Sequence, residues 1–469
     1  MPSSTIVWFR RDLRVADNPA LHAAAARGGV VPIYILDNDG PWPLGGASRW
    51  WLHESLKVLS EQLSRLGAPL ILRHGASGEI LRALAEETGS ESIVWNRCYE
   101  PATIARDKTI KADMQEAGIA AESFNATLLH EPWDLKTQTG NPFKVFTPFS
   151  RAAMQRPPRA PYPAPQKLTG MTGLKSDTLA SWKLQPTSPD WAGGFREMWT
   201  PGETGALACW DEFRENVSSY KVLRDIPGET GTSRLSPYLA FGDVSPHQLW
   251  HLAQQLEPGT GADSFKRQII WREFCAQLLY HFPNIPEEPL RAEFSAFPWR
   301  SDSKALKGWQ RGQTGYPIVD AGMRELWHTG WMHNRVRMVV ASFLVKHLLL
   351  PWRAGEDWFW DTLVDADLAN NAANWQWVAG CGADAAPYFR IFNPVLQGEK
   401  FDADGVYVRR WVPEIAGLPD SVLHKPWEAT DGQLKAAGIV MGETYPLPIV
   451  DHKAARARAL DAFASLRGG

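Results

Sequence analysis

The sequence predicts a doubly wound, parallel α/β domain at the N-terminus and an all-α domain at the C-terminus, joined by a long linker. Three observations carry this. Over residues 5 to about 130, short β-rich runs (6–9, 30–36, 70–72, 92–95) alternate with longer helical stretches such as 50–66 and 79–87, the rhythm of βαβ crossovers. Between about 155 and 205 the prolines crowd (Pro157, Pro158, Pro161, Pro163, Pro165, Pro186, Pro189, Pro201) and apolar runs are few, which reads as a linker lying over a surface. From about 205 onward strand signals nearly vanish and helical segments dominate (206–222, 247–256, 264–280, 322–327, 335–350, 356–363). The expected division is 1–130 for the α/β domain, 131–204 for the linker and 205–469 for the helical domain.

The first strand, Ile6-Val7-Trp8-Phe9, leads into Arg10-Arg11-Asp12-Leu13-Arg14, where a dinucleotide-binding domain would carry G-x-G-x-x-G. An NAD-type pyrophosphate site is therefore not expected at that turn. The start, Met1-Pro2-Ser3-Ser4-Thr5, has no basic and apolar leader, and no apolar run reaches membrane-spanning length, so the expectation is a soluble, unexported, cytoplasmic protein. Cys98, Cys209, Cys275 and Cys381 lie far apart without a C-x-x-C pair, which argues against structural zinc and against a disulfide scaffold; no metal site is expected. A net charge of -3 excludes a globally basic nucleic-acid binder but leaves room for a local basic patch. The outlier is tryptophan, 23 in 469 residues and concentrated in the second half, where indoles stack on ligands or relay electrons as readily as they fill space.

Four stretches of the helical half carry chemistry. Gly231-Thr232-Ser233-Arg234-Leu235-Ser236-Pro237 places hydroxyls and a guanidinium before a helix start, which suits an anion site or a plain Ser cap. Gln268-Ile269-Ile270-Trp271-Arg272 sets Gln268 and Arg272 on one stripe beside Trp271, either to bond and stack on a nucleobase or as an amphipathic helix with one buried indole. In Gly330-Trp331-Met332-His333-Asn334-Arg335-Val336-Arg337-Met338, Asn334 and Met338 look one way while Arg335 and Arg337 diverge; a buried Arg needs a carboxylate, and Asp365 or Asp367 are the natural candidates. His333 reads as a structural, hydrogen-bonded histidine.

The fourth, residues 365–377, concentrates carboxylates, amides and two indoles where a buried helix ordinarily carries aliphatic residues. At helical spacing Asp367, Asn371 and Asn374 share a face, while Trp375 and Trp377 point into different surroundings.

In order along the chain, Trp8-Phe9-Arg10-Arg11-Asp12-Leu13-Arg14, Thr232-Ser233-Arg234-Leu235-Ser236, Trp271-Arg272-Glu273-Phe274, Gly330-Trp331-Met332-His333-Asn334-Arg335 and Asp384-Ala385-Ala386-Pro387-Tyr388-Phe389-Arg390-Ile391-Phe392-Asn393-Pro394 resemble the photolyase and cryptochrome family nearly end to end. The resemblance is most specific to bacterial cyclobutane pyrimidine dimer photolyases of class I. It implies that the helical domain binds FAD, with Tyr220 and Thr232, Ser233, Arg234, Leu235 and Ser236 at its phosphates, Gln268 and Arg272 nearby, and Asp365, Asp367 and Asn371 around the isoalloxazine. Arg337 would pair Asp365. An amide at Asn371 beside N5 brings no repelling charge to the reduced flavin. Trp271 and Trp377 match the indoles that hold the flipped-out dimer, Asn334 and Met338 match residues that contact it, and Trp375, Trp352 and Trp299 match the three-indole electron chain.

The activity so implied is light-driven electron transfer from reduced FAD to the dimer, with ring splitting and return of the electron, on UV-damaged DNA, single- or double-stranded, by a monomer. Phosphate contacts would come from basic residues such as Arg335 and Arg390. Two positions depart from the pattern. Gln268 stands where the class carries a glutamate against the thymine edge, and Glu100-Pro101-Ala102-Thr103 stands where folate-binding relatives carry Asn-Glu, which leaves a second, antenna chromophore of folate or deazaflavin type open in identity. The other readings are a cryptochrome-like photoreceptor and a (6-4) photolyase, whose histidines at positions 334 and 338 this chain lacks.

Overall fold

The computed structural model describes residues 4–37, 40–385 and 389–466. Met1, Pro2 and Ser3 of the N-terminal lead, the Ala386-Pro387-Tyr388 part of the last motif, and the final three residues of the expected helical domain lie outside the described residues.

Strands β1 (Ser4–Phe9), β2 (Gly29–Leu36), β3 (Ile71–His74), β4 (Ser92–Asn96) and β5 (Ala120–Phe124) form a parallel sheet in the order β3-β2-β1-β4-β5, and a short β6 (Thr169–Gly170) adds to β2. β1 is central, with Thr5 opposite Val30 on one side and Ser92 on the other. Its residues and those of β2 are buried throughout, which is why both read as continuous apolar runs. β5, an edge strand of sequence Ala-Ala-Glu-Ser-Phe, is half-exposed and gave no comparable signal.

The expected linker is a structured strap. Leu168 and Asp177 donate backbone N–H bonds to Leu66 O (2.7 Å) and Leu72 O (2.8 Å), so the chain runs along the β3 edge of the sheet. Earlier in the same stretch, the helix Phe146–Met154 packs instead on the helix Thr260–His281 of the second half.

In the helical half, Thr260–His281 is the central rod, and Leu368–Ala379 packs against both it and Trp352–Thr362. The helix expected over 335–350 is α-helical only from Asn334 to Ser342; it widens into a π-turn at Phe343–His347 and ends at Leu349, whose φ is 54°. One hydrophobic core spans both halves. Trp51, from the helix Gly46–Leu66, meets Trp199, Tyr238 and Phe241, and its Nε1 donates to buried Asp243 (2.9 Å). Much of the tryptophan excess is thus packing between the two halves.

Candidate functional site

The wall of the site is the stretch 365–377. Asp365 is nearly buried, and its Oδ2 accepts from Arg337 Nη2 (2.8 Å) and from Ser236 Oγ (2.7 Å). Arg337 is itself held by its Nε on Met332 O (2.8 Å). Three separate motifs therefore converge on one carboxylate. Its other oxygen, Oδ1, is buried with no partner among the described residues.

Asp367 and Asn374 correct the shared-face expectation. Asp367 is the N-cap of Leu368–Ala379, accepting from Asn370 N (2.8 Å), so its carboxylate folds over the helix end instead of joining a helical stripe. Asn374 is exposed and turns its amide back to Asn370 O, whereas Asn371 is buried. Asn371 Nδ2 donates to the backbone carbonyl of Glu356 (2.9 Å), which leaves its Oδ1 as the free edge of the amide. Asn371 faces the helix Trp352–Thr362; Asn374, though exposed, also reaches Cys275 Sγ of the helix Thr260–His281 (3.9 Å).

The two indoles diverge as their spacing requires. Trp375 is 3% exposed and packs edge-on against Phe359 (5.0 Å) and Trp309 (6.3 Å). A Cβ on Gly355 would lie 2.0 Å from that indole, so the close approach of the two helices needs glycine there. Trp377 is half-buried and donates from Nε1 to Asp384 O (3.0 Å). Trp352 is buried and Trp299, beside Phe297 at 4.4 Å, is partly exposed, an inside-to-outside grading.

On the neighbouring helix, Trp271 lies flat on Phe146, centroids 3.6 Å apart and planes 3° from parallel, so one face is covered. Gln268 accepts from Arg224 (3.1 Å) and donates to Ser264 O (3.2 Å). Arg272 donates to Thr127 O (2.5 Å) and lines, with Asp367, a cleft whose far side is Arg11, Cys98 and Glu100 of the α/β half. Asn334 is exposed and Met338 half-buried on the next helix. Arg335 does not take Asp365 or Asp367: it pairs with Asp225 (2.8 Å) and lies over Phe401. Arg390 is exposed, its carbonyl accepting from the buried ammonium of Lys346.

At the anion motif, Thr232, Ser233 and Arg234 are half-buried, Leu235 is buried, and Ser236 opens the helix Ser236–Phe241 with Pro237 in its first turn. Arg234 sits at φ 51°, a conformation a side chain rarely adopts, with its guanidinium beside Trp331 (5.9 Å). Tyr220 is buried against Phe213 and Phe265. His333 is structural on one side, its Nδ1 accepting from Arg335 N (3.2 Å); its buried Nε2 has no partner, and burial holds its pKa down to about 4.

Sequence reasoning missed Glu356. Its side chain is fully buried, neither carboxylate oxygen has a partner among the described residues, and burial pushes its pKa up to about 9, so at neutral pH it is held as the protonated acid; its backbone carbonyl is the one that receives Asn371. A glutamate between Gly355 and Asp357 in an amphipathic stretch looks solvent-exposed; only the packing of two helices hides it. The donor and acceptor set, hydroxyls and a guanidinium at a helix start, an orphaned buried carboxylate oxygen at Asp365 and a free amide edge at Asn371, suits a ligand with phosphates at one end and a polar planar ring at the other.

Comparison with known proteins agrees with that chemistry. Residues 265–465 match the FAD binding domain of DNA photolyase, and residues 5–166 match the DNA photolyase domain. Fold, site and these matches together define a flavin-binding protein of the DNA photolyase kind. The chain belongs to the photolyase and cryptochrome family: it is 54% identical to the deoxyribodipyrimidine photo-lyase of Agrobacterium fabrum, over 98% of each chain. It is also 39% identical to cryptochrome-2 of Arabidopsis thaliana, over 97% of this chain and 78% of that one. A crystal structure from Agrobacterium tumefaciens superposes with a TM-score of 0.97 at 53% identity, covering 100% of this chain and 98% of that chain. That structure is of a bacterial class III photolyase, so the class I expectation is not supported. Among the described residues no helix is long and apolar enough to cross a membrane.

Proposed function

We propose that the chain is a photo-lyase of the class III type that splits cyclobutane pyrimidine dimers in damaged DNA. The carrying observation is the division of the Leu368–Ala379 helix into a buried amide at Asn371, a core indole at Trp375 and a half-open indole at Trp377. One short element thereby serves a cofactor, an electron route and a substrate.

Thr232 to Ser236 and Tyr220 would hold the phosphates of FAD, and Asp365, fixed by Arg337, and Asn371 would hold its ring system. When bound, FAD supplies the photoexcited electron that opens the dimer's cyclobutane ring and takes it back. The protein's part is positioning and electrostatics. Asn371, with Nδ2 committed to Glu356 O, presents an uncharged acceptor. The free face of Trp271 and the ring of Trp377 bound the lesion, with Asn334, Met338 and Gln268 at its edges. Trp375, Trp352 and Trp299 carry electrons inward from the surface. Arg390, and Arg335 once its Asp225 pair opens, meet phosphates, so affinity falls with salt. A second chromophore of folate or deazaflavin type would extend light capture.

The test is to illuminate purified, photoreduced protein with DNA carrying cyclobutane dimers and, separately, (6-4) lesions. Blue-light-dependent loss of the dimers alone is expected. Loss of only the (6-4) lesion would move the substrate, and loss of neither would favour the photoreceptor reading.

A further inference from the structure

The two indoles assigned to the lesion stand on different helices, yet both are fastened to the same short piece of the strap that joins the halves. Phe146 is 2% exposed and lies flat beneath Trp271 at 3.6 Å. Two residues earlier in the chain, Lys144 O accepts from Asp384 N (3.1 Å), and the Phe146 backbone N–H faces the Asp384 carboxylate, offsetting part of the burial that raises its pKa. The carbonyl of that same Asp384 receives Trp377 Nε1 at 3.0 Å. Asp384 holds a φ of 52°, a left-handed conformation that a side chain rarely adopts and that persists where surrounding bonds enforce it. The two bonds to Lys144 and Trp377 are such an enforcement.

We infer that the segment from Lys144 to Phe146, with Asp384, is a brace that sets the separation and tilt of Trp271 and Trp377, so that Phe146 and Asp384 are positioning residues for lesion recognition. Phe146 covers one face of Trp271 and stiffens it against rotation, leaving only the opposite face for a base. Asp384 pins Trp377 to the same support, so the two indoles cannot drift apart independently. The brace comes from the stretch between the two halves but packs on the helical half, so the spacing of the lesion walls is set within that half. The inference rests on the proposed reading of Trp271 and Trp377 as the walls of the lesion site.

The experiment compares binding of a thymine-dimer oligonucleotide with that of its undamaged counterpart by fluorescence anisotropy, in the flavin-loaded full chain. Phe146→Leu keeps an apolar side chain of similar size without the stack. Asp384→Gly accepts the backbone angle but removes the carboxylate, and Asp384→Asn restores an acceptor. Phe146→Leu and Asp384→Gly should each lower the damaged-to-undamaged affinity ratio about fivefold, the scale of one aromatic pair, and raise KM more than they lower kcat. Flavin absorbance and photoreduction rate should be unchanged, and Asp384→Asn should recover most of the ratio. In a Trp271→Ala background Phe146→Leu should have no further effect on the ratio. The inference is overturned if Phe146→Leu and Asp384→Gly discriminate as well as the parent, or if Phe146→Leu acts equally with Trp271 absent. If Trp271→Ala and Trp377→Ala themselves leave discrimination intact, the premise about the walls fails, and the brace has nothing to position.

Discussion

Arg337 Nη2 and Asp365 Oδ2 stand 2.8 Å apart, and Ser236 Oγ meets the same oxygen at 2.7 Å, so one carboxylate ties the anion motif, the Asn334–Ser342 helix and the site wall together. Replacing Arg337 by Met leaves Asp365 nearly buried without its cation. The expected result is a loss of about 3 kcal/mol of stability, the lower end for a broken buried pair because Arg337 is 24% exposed, together with lower flavin content. Thermal melting and the flavin-to-protein absorbance ratio check it. Unchanged flavin content would detach the pair from the cofactor.

Glu356 gives a pH prediction. Its folded pKa of about 9 is above that of an unfolded glutamate, so the folded state holds a proton that the unfolded chain releases. The contribution of this group is fully present below about pH 4, diminishes as pH rises, and is lost once pH passes about 9. Glu356→Gln keeps the shape and removes the titration, so its melting temperature should exceed the parent's increasingly from pH 5 to 9. A difference that stays constant with pH would show Glu356 to be ionised in the folded protein.

Trp375 and Trp377 should separate under mutation. Trp375→Phe should slow photoreduction of the oxidised protein while sparing repair by protein that is already reduced, and Trp377→Ala should weaken lesion binding with little loss of flavin. Photoreduction at the normal rate in Trp375→Phe would place the electron route elsewhere.

Gly355→Ala introduces a methyl 2.0 Å from the Trp375 ring, on helix backbone that cannot yield without moving Trp352–Thr362. A cost of about 1–3 kcal/mol is expected, as for overpacking, with slower photoreduction because the indole must shift. The same substitution combined with Trp375→Phe should be milder in melting temperature, since the smaller ring makes room; an equal cost in both backgrounds would trace the strain to another contact.

The strand and helix alternation of the first half, the helical second half and the placement of the anion, Gln268–Arg272 and 330–338 motifs were all legible along the chain, because each is written in local periodicity and short spacing. The Arg337–Asp365 pair followed from the family resemblance. What local spacing misread was Asp367, whose carboxylate caps the helix that it was expected to line; what it could not supply was the partner of Arg335, Asp225, more than a hundred residues upstream. The sequence by itself determined the family and the cofactor class, and it supplied the site residues that are proposed. Only the tertiary structure decided that Glu356 is buried with its pKa pushed up to about 9, that Asn371 commits Nδ2 to Glu356 O, and that Phe146 stacks on Trp271 while Trp377 bonds Asp384. The reason is physical: periodicity records which residues lie on one element, whereas burial, ion pairing and stacking depend on which elements meet, and no local pattern encodes that.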